Sequence, residues 1–211
     1  MLPSGTDESA HSSVPRCIAL TGGIGAGKST ALDAFGACGA ATLSSDDVVH
    51  GLYADPGVLD CVRARFGPEV FDSNGTINRA RLASAAFHQE GGLGFLQDVL
   101  FPRIERYRDG WVAGRRREGR WPLLVVEVPL LFEAGLADQF DAVVVVTAGE
   151  ALRRARVAAR GQDFTARSAR QWDEDKKVRR ADRSFANDGD VDALRSWVAE
   201  VFAEFAAPAT P

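Results

Sequence analysis

The sequence offers little from which to build a metal centre or a thiol framework. Its three cysteines, Cys17, Cys38 and Cys61, are far apart and include no C-x-x-C pair. That argues against a disulfide framework and a structural zinc site, and fits a reducing compartment. The three histidines, His11, His50 and His88, are scattered and form no ligand set. Nothing groups a histidine or cysteine for nucleophilic catalysis. Long apolar runs are missing as well, since stretches such as Ala142 to Val146 are far too short to span a bilayer. Nor is there an excess of positive charge: 25 Lys and Arg stand against 29 Asp and Glu, a net charge of −4. No overall basic field draws the chain to nucleic acid, so any bound anion must be held by a local site. The first sixteen residues are polar and lack the apolar core of a secretory signal. These absences predict a cytoplasmic globular protein with neither membrane nor nucleic acid as partner.

What is present reads as α/β. Short β-rich runs occur at Cys17 to Thr21, Ala41 to Leu43, Leu123 to Val128 and Ala142 to Thr147, with a weaker one at Ser184 to Ala186. The third and fourth are continuously apolar, as suits parallel strands covered on both faces. Helical patterns fill the gaps at Lys28 to Cys38, Glu150 to Arg160 and Asp190 to Phe205. The expected core is a parallel sheet of about five strands flanked by helices. Between the second and third strands lie more than sixty residues with helix signals, including Arg79 to Phe87 and Leu93 to Arg117, where a crossover needs about a dozen. The division expected is a leader over 1–15, a core over 16–52 and 121–205, an inserted helical subdomain over 53–120 for the acceptor substrate, and a tail over 206–211.

One motif carries the chemistry. Gly22-Gly23-Ile24-Gly25-Ala26-Gly27-Lys28-Ser29 fits G-x-x-x-x-G-K-[ST] between an expected strand and an expected helix. Glycines let the backbone wrap closely, so that successive N–H groups point at phosphate oxygens. The helix N-terminus adds partial positive charge. Lys28 reaches the β- and γ-phosphates and the Ser29 hydroxyl joins a magnesium shell. The reading is an ATP- and Mg²⁺-dependent phosphotransferase acting on a small molecule.

Carboxylates belong at the carboxyl ends of the strands in such a fold. Asp46 and Asp47 follow the second strand, where either can accept the proton of an acceptor hydroxyl, or else sit in a helix first turn capped by Ser44 or Ser45. Glu127 closes the third strand, where it serves as a magnesium ligand through water, or else lies at an edge in solvent. Residues 150–183 form a basic segment, a candidate lid whose Arg156 and Arg160, four apart, are expected on one helix face. A second basic cluster, Arg115 to Arg117, ends a helical pattern and reads as solvation of the helix end. The tryptophans are assigned to packing.

From about Arg16 to Phe205 the chain resembles the dephospho-CoA kinase family. The resemblance is carried by Ile18 to Thr30, by Val128-Pro129-Leu130-Leu131-Phe132-Glu133, and by Asn78-Arg79 with Leu82 and Phe87. In the basic segment it rests on Arg156, Arg160, Arg167, Gln171 and Lys177, then Ala181-Asp182 with Asn187 and Gly189. It implies a P-loop kinase fold with a helical CoA-binding domain and a lid, and ATP-dependent phosphorylation of the ribose 3′-hydroxyl of dephospho-CoA. It implies Asp46, Lys28 and Arg156 as catalytic residues. Gly23, Ile24, Gly25, Ala26, Gly27, Lys28, Ser29, Thr30, Arg160 and Asn187 are implied for the nucleotide, Asp46, Arg79, Pro129 and Leu130 for the acceptor, and Ser29 and Glu127 for magnesium. Ser44 stands where the family usually has the first Asp of an Asp-x-Asp pair, and Phe101-Pro102 where it tends to have His-Pro.

Alternatives are a P-loop kinase of another small molecule, such as a nucleoside monophosphate or a sugar acid, and a nucleotide-binding regulator without catalysis. A GTP switch is excluded by the lack of Asn-Lys-x-Asp and of Asp-x-x-Gly after the third strand. A monomer or weak homo-oligomer is expected.

Overall fold

A computed structural model describes residues 14–207. The expected leader up to residue 13, and residues 208–211 of the expected tail, lie outside the described residues. In chain order the elements are β1 (Arg16–Thr21), α1 (Lys28–Ala37), β2 (Ala41–Ser44), α2 (Ser45–Leu52), α3 (Pro56–Phe66), α4 (Arg79–His88) and α5 (Gly92–Glu118). There follow β3 (Leu123–Glu127), β4 (Ala142–Thr147), α6 (Glu150–Ala158), α7 (Phe164–Ser168), α8 (Glu174–Val178), β5 (Arg183–Ala186) and α9 (Val191–Ala206). The five strands lie in the order β2-β3-β1-β4-β5. β1 runs parallel to both β3 and β4, and β4 parallel to β5.

The apolar runs explain this order. β1, β3 and β4 are buried along nearly their whole length, so each needs a neighbour on both edges and cover on both faces. On one face Ile18, Leu20, Leu123, Val125, Val144 and Val146 pack with Phe35 of α1 and with Leu194, Val198 and Val201 of α9. Fully burying one such side chain stabilises the fold by roughly 1.5–3 kcal/mol. β5, at the edge of the sheet, is largely exposed.

Chain contacts divide the protein into two units, Met1–Thr42 with Gly114–Pro211, and Leu43–Ala113. The second unit has its own core. Val58, Val62 and Phe66 of α3, Leu82 and Ala86 of α4, and Val99 and Leu100 of α5 close over Val70, Phe71 and Ile77. α3 starts where Asp55 caps Val58 N–H and Pro56 takes the first turn. No helix among the described residues is long and apolar enough to cross a membrane.

One expectation about the basic segment needs correction. Arg160 does not share a helical face with Arg156, because α6 ends at Ala158 and Gly161, at φ 64°, turns the chain away. Arg160 lies exposed in that turn.

Candidate nucleotide-binding and phosphotransfer site

β1 delivers the chain into the glycine loop, and α1 begins at Lys28. Gly22 adopts φ 150°, and a Cβ there would run into the Val146 carbonyl of β4. Gly25, at φ 78°, lies against α6, where a Cβ would come 2.7 Å from the Arg153 carbonyl oxygen. The loop is therefore seated against the neighbouring strand and helix so closely that glycine is required at both positions.

Lys28 is nine-tenths buried, and its Nζ donates to the Gly23 carbonyl at 3.2 Å. The same ammonium lies 4.0 Å from Glu127 Oε1. Glu127, 6% exposed at the end of β3, is thus inside the protein beside the loop lysine rather than in solvent. A buried carboxylate next to a buried ammonium beneath an anion-binding loop can orient that cation or a hydrated metal ion. Ser29, in the first turn of α1, is exposed.

The loop is also held from outside. Asn187 is buried after β5 and donates through Nδ2 to the Ala26 carbonyl at 2.8 Å. Arg156 donates to the carbonyls of Gly25 at 3.2 Å and Ala26 at 3.4 Å. Both residues grip the loop's carbonyls from outside.

The segment after α6 meets the loop at its mouth. Gln171 accepts from Ile24 N–H at 2.8 Å and donates to the Pro129 carbonyl at 3.4 Å. Glu174 pairs with Arg153 at 3.5 Å and accepts from Ala148 N–H at 3.4 Å. Burial pushes the Glu174 carboxyl above its ordinary value of 4.5, while Arg153, the Ala148 and Gly23 amides and Lys177 work against that shift. Below this, Lys177 is fully buried with its Nζ 2.8 Å from Glu133 Oε1. The same Glu133 oxygen accepts from Trp172 N–H, and the Trp172 ring stacks on Phe132. Pro129-Leu130-Leu131-Phe132-Glu133 is thereby the floor on which the basic segment rests.

In the second unit, Ser44 caps α2 by accepting from Asp47 N–H at 3.4 Å, so Asp46 and Asp47 occupy the first turn. Serine and aspartate both serve as N-caps, so Ser44 keeps that function while giving up a negative charge. Asp46 and His50, four apart on α2, share a helix face. Arg79, first residue of α4, lies 2.9 Å from His50 Nδ1 and above the Tyr53 ring. His50 thus joins the Asp46 face to Arg79, a role its isolation in the sequence concealed. Burial raises the Tyr53 hydroxyl above its ordinary 10.0, with Arg79 opposing.

A glycine loop rising from the central strand of a parallel sheet onto a helix N-terminus, with a buried lysine and a strand-end acid beside it, defines a P-loop kinase. A sequence model described as dephospho-CoA kinase matches residues 16–193. The chain belongs to the dephospho-CoA kinase family. The dephospho-CoA kinase of Corynebacterium diphtheriae is 38% identical over 197 residues, covering 90% of this chain and 98% of the relative. That of Chlorobaculum tepidum is 34% identical over 197 residues, covering 90% and 94%. A solved structure of a Thermus thermophilus protein superposes with a TM-score of 0.74 at 29% identity, covering 90% of this chain and 97% of that one. The dephospho-CoA kinase of Campylobacter jejuni, at 21% identity and a TM-score of 0.64, covers 92% and 98% and shares the fold.

Arg156, expected as a catalytic residue, donates to loop carbonyls, and Arg160, expected at the nucleotide, is exposed in the turn after α6. The charged side chains that line the cavity at Gly23 are instead Arg153, Asp173, Glu174 and Asp175. Sequence reasoning passed over Arg153 and Glu174 because charges in a charge-rich segment carry no mark of which ones turn inward.

Proposed function

We propose that this chain transfers the γ-phosphoryl group of ATP to the ribose 3′-hydroxyl of dephospho-CoA. The observation that carries the reading is the close seating of the glycine loop, with Lys28 buried beneath it and Glu127 at 4.0 Å. Its N–H groups and the α1 N-terminus bind the phosphates, and Lys28 follows the transferring charge. Little covalent chemistry falls to the protein, so positioning and electrostatics supply most of the rate.

Asp46 is the proton acceptor for the 3′-hydroxyl in this reading. Its support is a place in an exposed first helical turn beside the Ser44 cap, and the family resemblance at that position. Arg79 holds an anionic part of the acceptor, with His50 setting its direction. A cavity of about 430 Å³ within the second unit, lined by Leu43, Val48, Leu52 and Tyr107 among others, suits the acceptor's pantetheine arm. Pro129 and Leu130 border the acceptor, and residues 150–183 act as a lid over the nucleotide.

The donors fit magnesium. Ser29 and Glu127 are hard oxygen ligands, and magnesium takes one or two such groups together with phosphate oxygens and water. When bound it neutralises charge on the β- and γ-phosphates. Among the described residues no group of three or more His, Cys, Asp or Glu could hold a metal ion.

The test is ADP release by the purified chain with ATP and Mg²⁺, offering dephospho-CoA, AMP, gluconate or no acceptor. Turnover confined to dephospho-CoA is expected. Turnover with another acceptor, and none with dephospho-CoA, would overturn the substrate.

A further inference from the structure

Glu174 stands out among the side chains at the glycine loop because it is an anion in a place built for anions. Its carboxylate accepts from Ala148 N–H and pairs with Arg153. It also presses on Gly23, where a Cβ would collide with it and would come 2.8 Å from Arg153 Nη1. Both side chains are largely shielded, 18% exposed for Glu174 and 13% for Arg153. The other carboxylate oxygen of Glu174, Oε1, is buried against Gly23. Together with Gly23 and Gln171 they line a cavity of about 220 Å³.

Arg153 is anchored to the loop twice. Its backbone abuts Gly25, and its guanidinium approaches Gly23 while Nε donates to the Ala148 carbonyl at 3.0 Å. The neighbouring arginines are otherwise engaged. Arg154 pairs with Glu150 at 2.7 Å on the exposed side of α6, and Arg156 is bound to loop carbonyls. Arg153 is therefore the lid-side arginine presented to whatever enters the loop's mouth.

We propose that Glu174 is an internal stand-in for phosphate, and that ATP binding exchanges Arg153 from the Glu174 carboxylate to the nucleotide's terminal phosphate. An entering phosphate brings charge of the same sign into a partly shielded space, so the two anions cannot share it. Arg153 prefers the phosphate, whose oxygens match its planar fork and carry more charge. Release of Glu174 frees the first residue of α8, and with it the short helix that holds Lys177 and faces Trp172. The exchange couples occupancy of the terminal phosphate position to the setting of residues 171–178. It also lowers affinity for ATP, because the plugged form must open first.

The inference rests on the ATP-binding reading but needs no acceptor. Calorimetric titration of the full chain with ATP, a non-hydrolysable ATP analogue and ADP, each with Mg²⁺, tests it. Glu174→Gln and Glu174→Ser are expected to bind ATP and the analogue about 3- to 10-fold more tightly than the parent, with a smaller gain for ADP. Arg153→Ala is expected to weaken ATP binding, and in that background Glu174→Gln gives no further gain, as a double-mutant cycle requires. A merely structural Glu174 predicts the opposite: unchanged or weaker ATP binding in both variants, and that result overturns the exchange. An additive gain in the Arg153→Ala background overturns the part given to Arg153. Failure of the parent chain to bind ATP would instead overturn the nucleotide reading and this one with it.

Discussion

Lys177 and Glu133, 44 positions apart in the chain, meet as Nζ and Oε1 at 2.8 Å, with Lys177 fully buried. The pair fastens the end of the basic segment to the segment after β3. Removing one partner leaves the other charged and buried. Lys177→Met is expected to cost about 3–5 kcal/mol of stability, and Lys177→Met with Glu133→Leu to recover most of it. Chemical unfolding of both variants checks this, and a single variant as stable as the parent would contradict the pairing.

Gly22 is fixed by the Val146 carbonyl of β4, against which a Cβ would collide. Gly22→Ala pushes a methyl group against backbone that cannot rotate away. A loss of about 2–4 kcal/mol is expected even without nucleotide, in the range for a strained or overpacked core position. Thermal unfolding of the nucleotide-free protein is the measurement, and an unchanged midpoint would count against this seating of the loop.

Lys28 and Asp46 should separate by kinetics. Lys28→Ala is expected to lower kcat/KM for ATP by about 10²-fold or more, since it removes charge from the phosphates in ground and transition states alike. Asp46→Asn is expected to lower kcat by about 10²–10⁴ with ATP binding largely kept. Near-normal turnover in Asp46→Asn removes Asp46 from the role of base.

Glu174 gives a pH signature. Its carboxyl is raised in the folded protein, chiefly by burial, so the folded state holds its proton more tightly than the unfolded chain does. The stability this contributes is complete below the ordinary value of 4.5 and is lost as pH rises through the raised folded value. Glu174→Gln lacks that loss, so its stability relative to the parent is expected to grow with pH across this window and then level off. Arg153 and Lys177 face the group as cations, and Asp173 and Asp175 line the same cavity. Urea unfolding at several pH values decides it, and a constant difference would show that Glu174 is not raised.

Much of the fold was legible because it depends on local pattern. β4 runs over the residues its apolar stretch predicts, Ala142–Thr147. α4 and α5 start and stop within a residue of the expected bounds, at Arg79–His88 and Gly92–Glu118. The glycine loop was legible for a different reason: its residues match a short phosphate-loop pattern set between a strand and a helix. Glu127 divided into two readings, magnesium ligand or solvent-exposed edge, because a sequence does not say how deep a strand end lies. The structure buries it beside Lys28.

The sequence alone determined the five strands, the longer helices, the phosphate-loop motif and the resemblance that names the family, all of which rest on periodicity and short-range spacing. Only the tertiary structure decided which charges in the basic segment meet the loop. Arg153, Arg154 and Arg156 are near neighbours on one short helix, yet one faces the cavity at Gly23, one faces solvent and one grips loop carbonyls. Arg153 and Arg156, three apart, share the helix face that meets the loop, while helical rotation turns Arg154 away; the parallel sheet, by setting β4 beside β1, brings that face onto the loop.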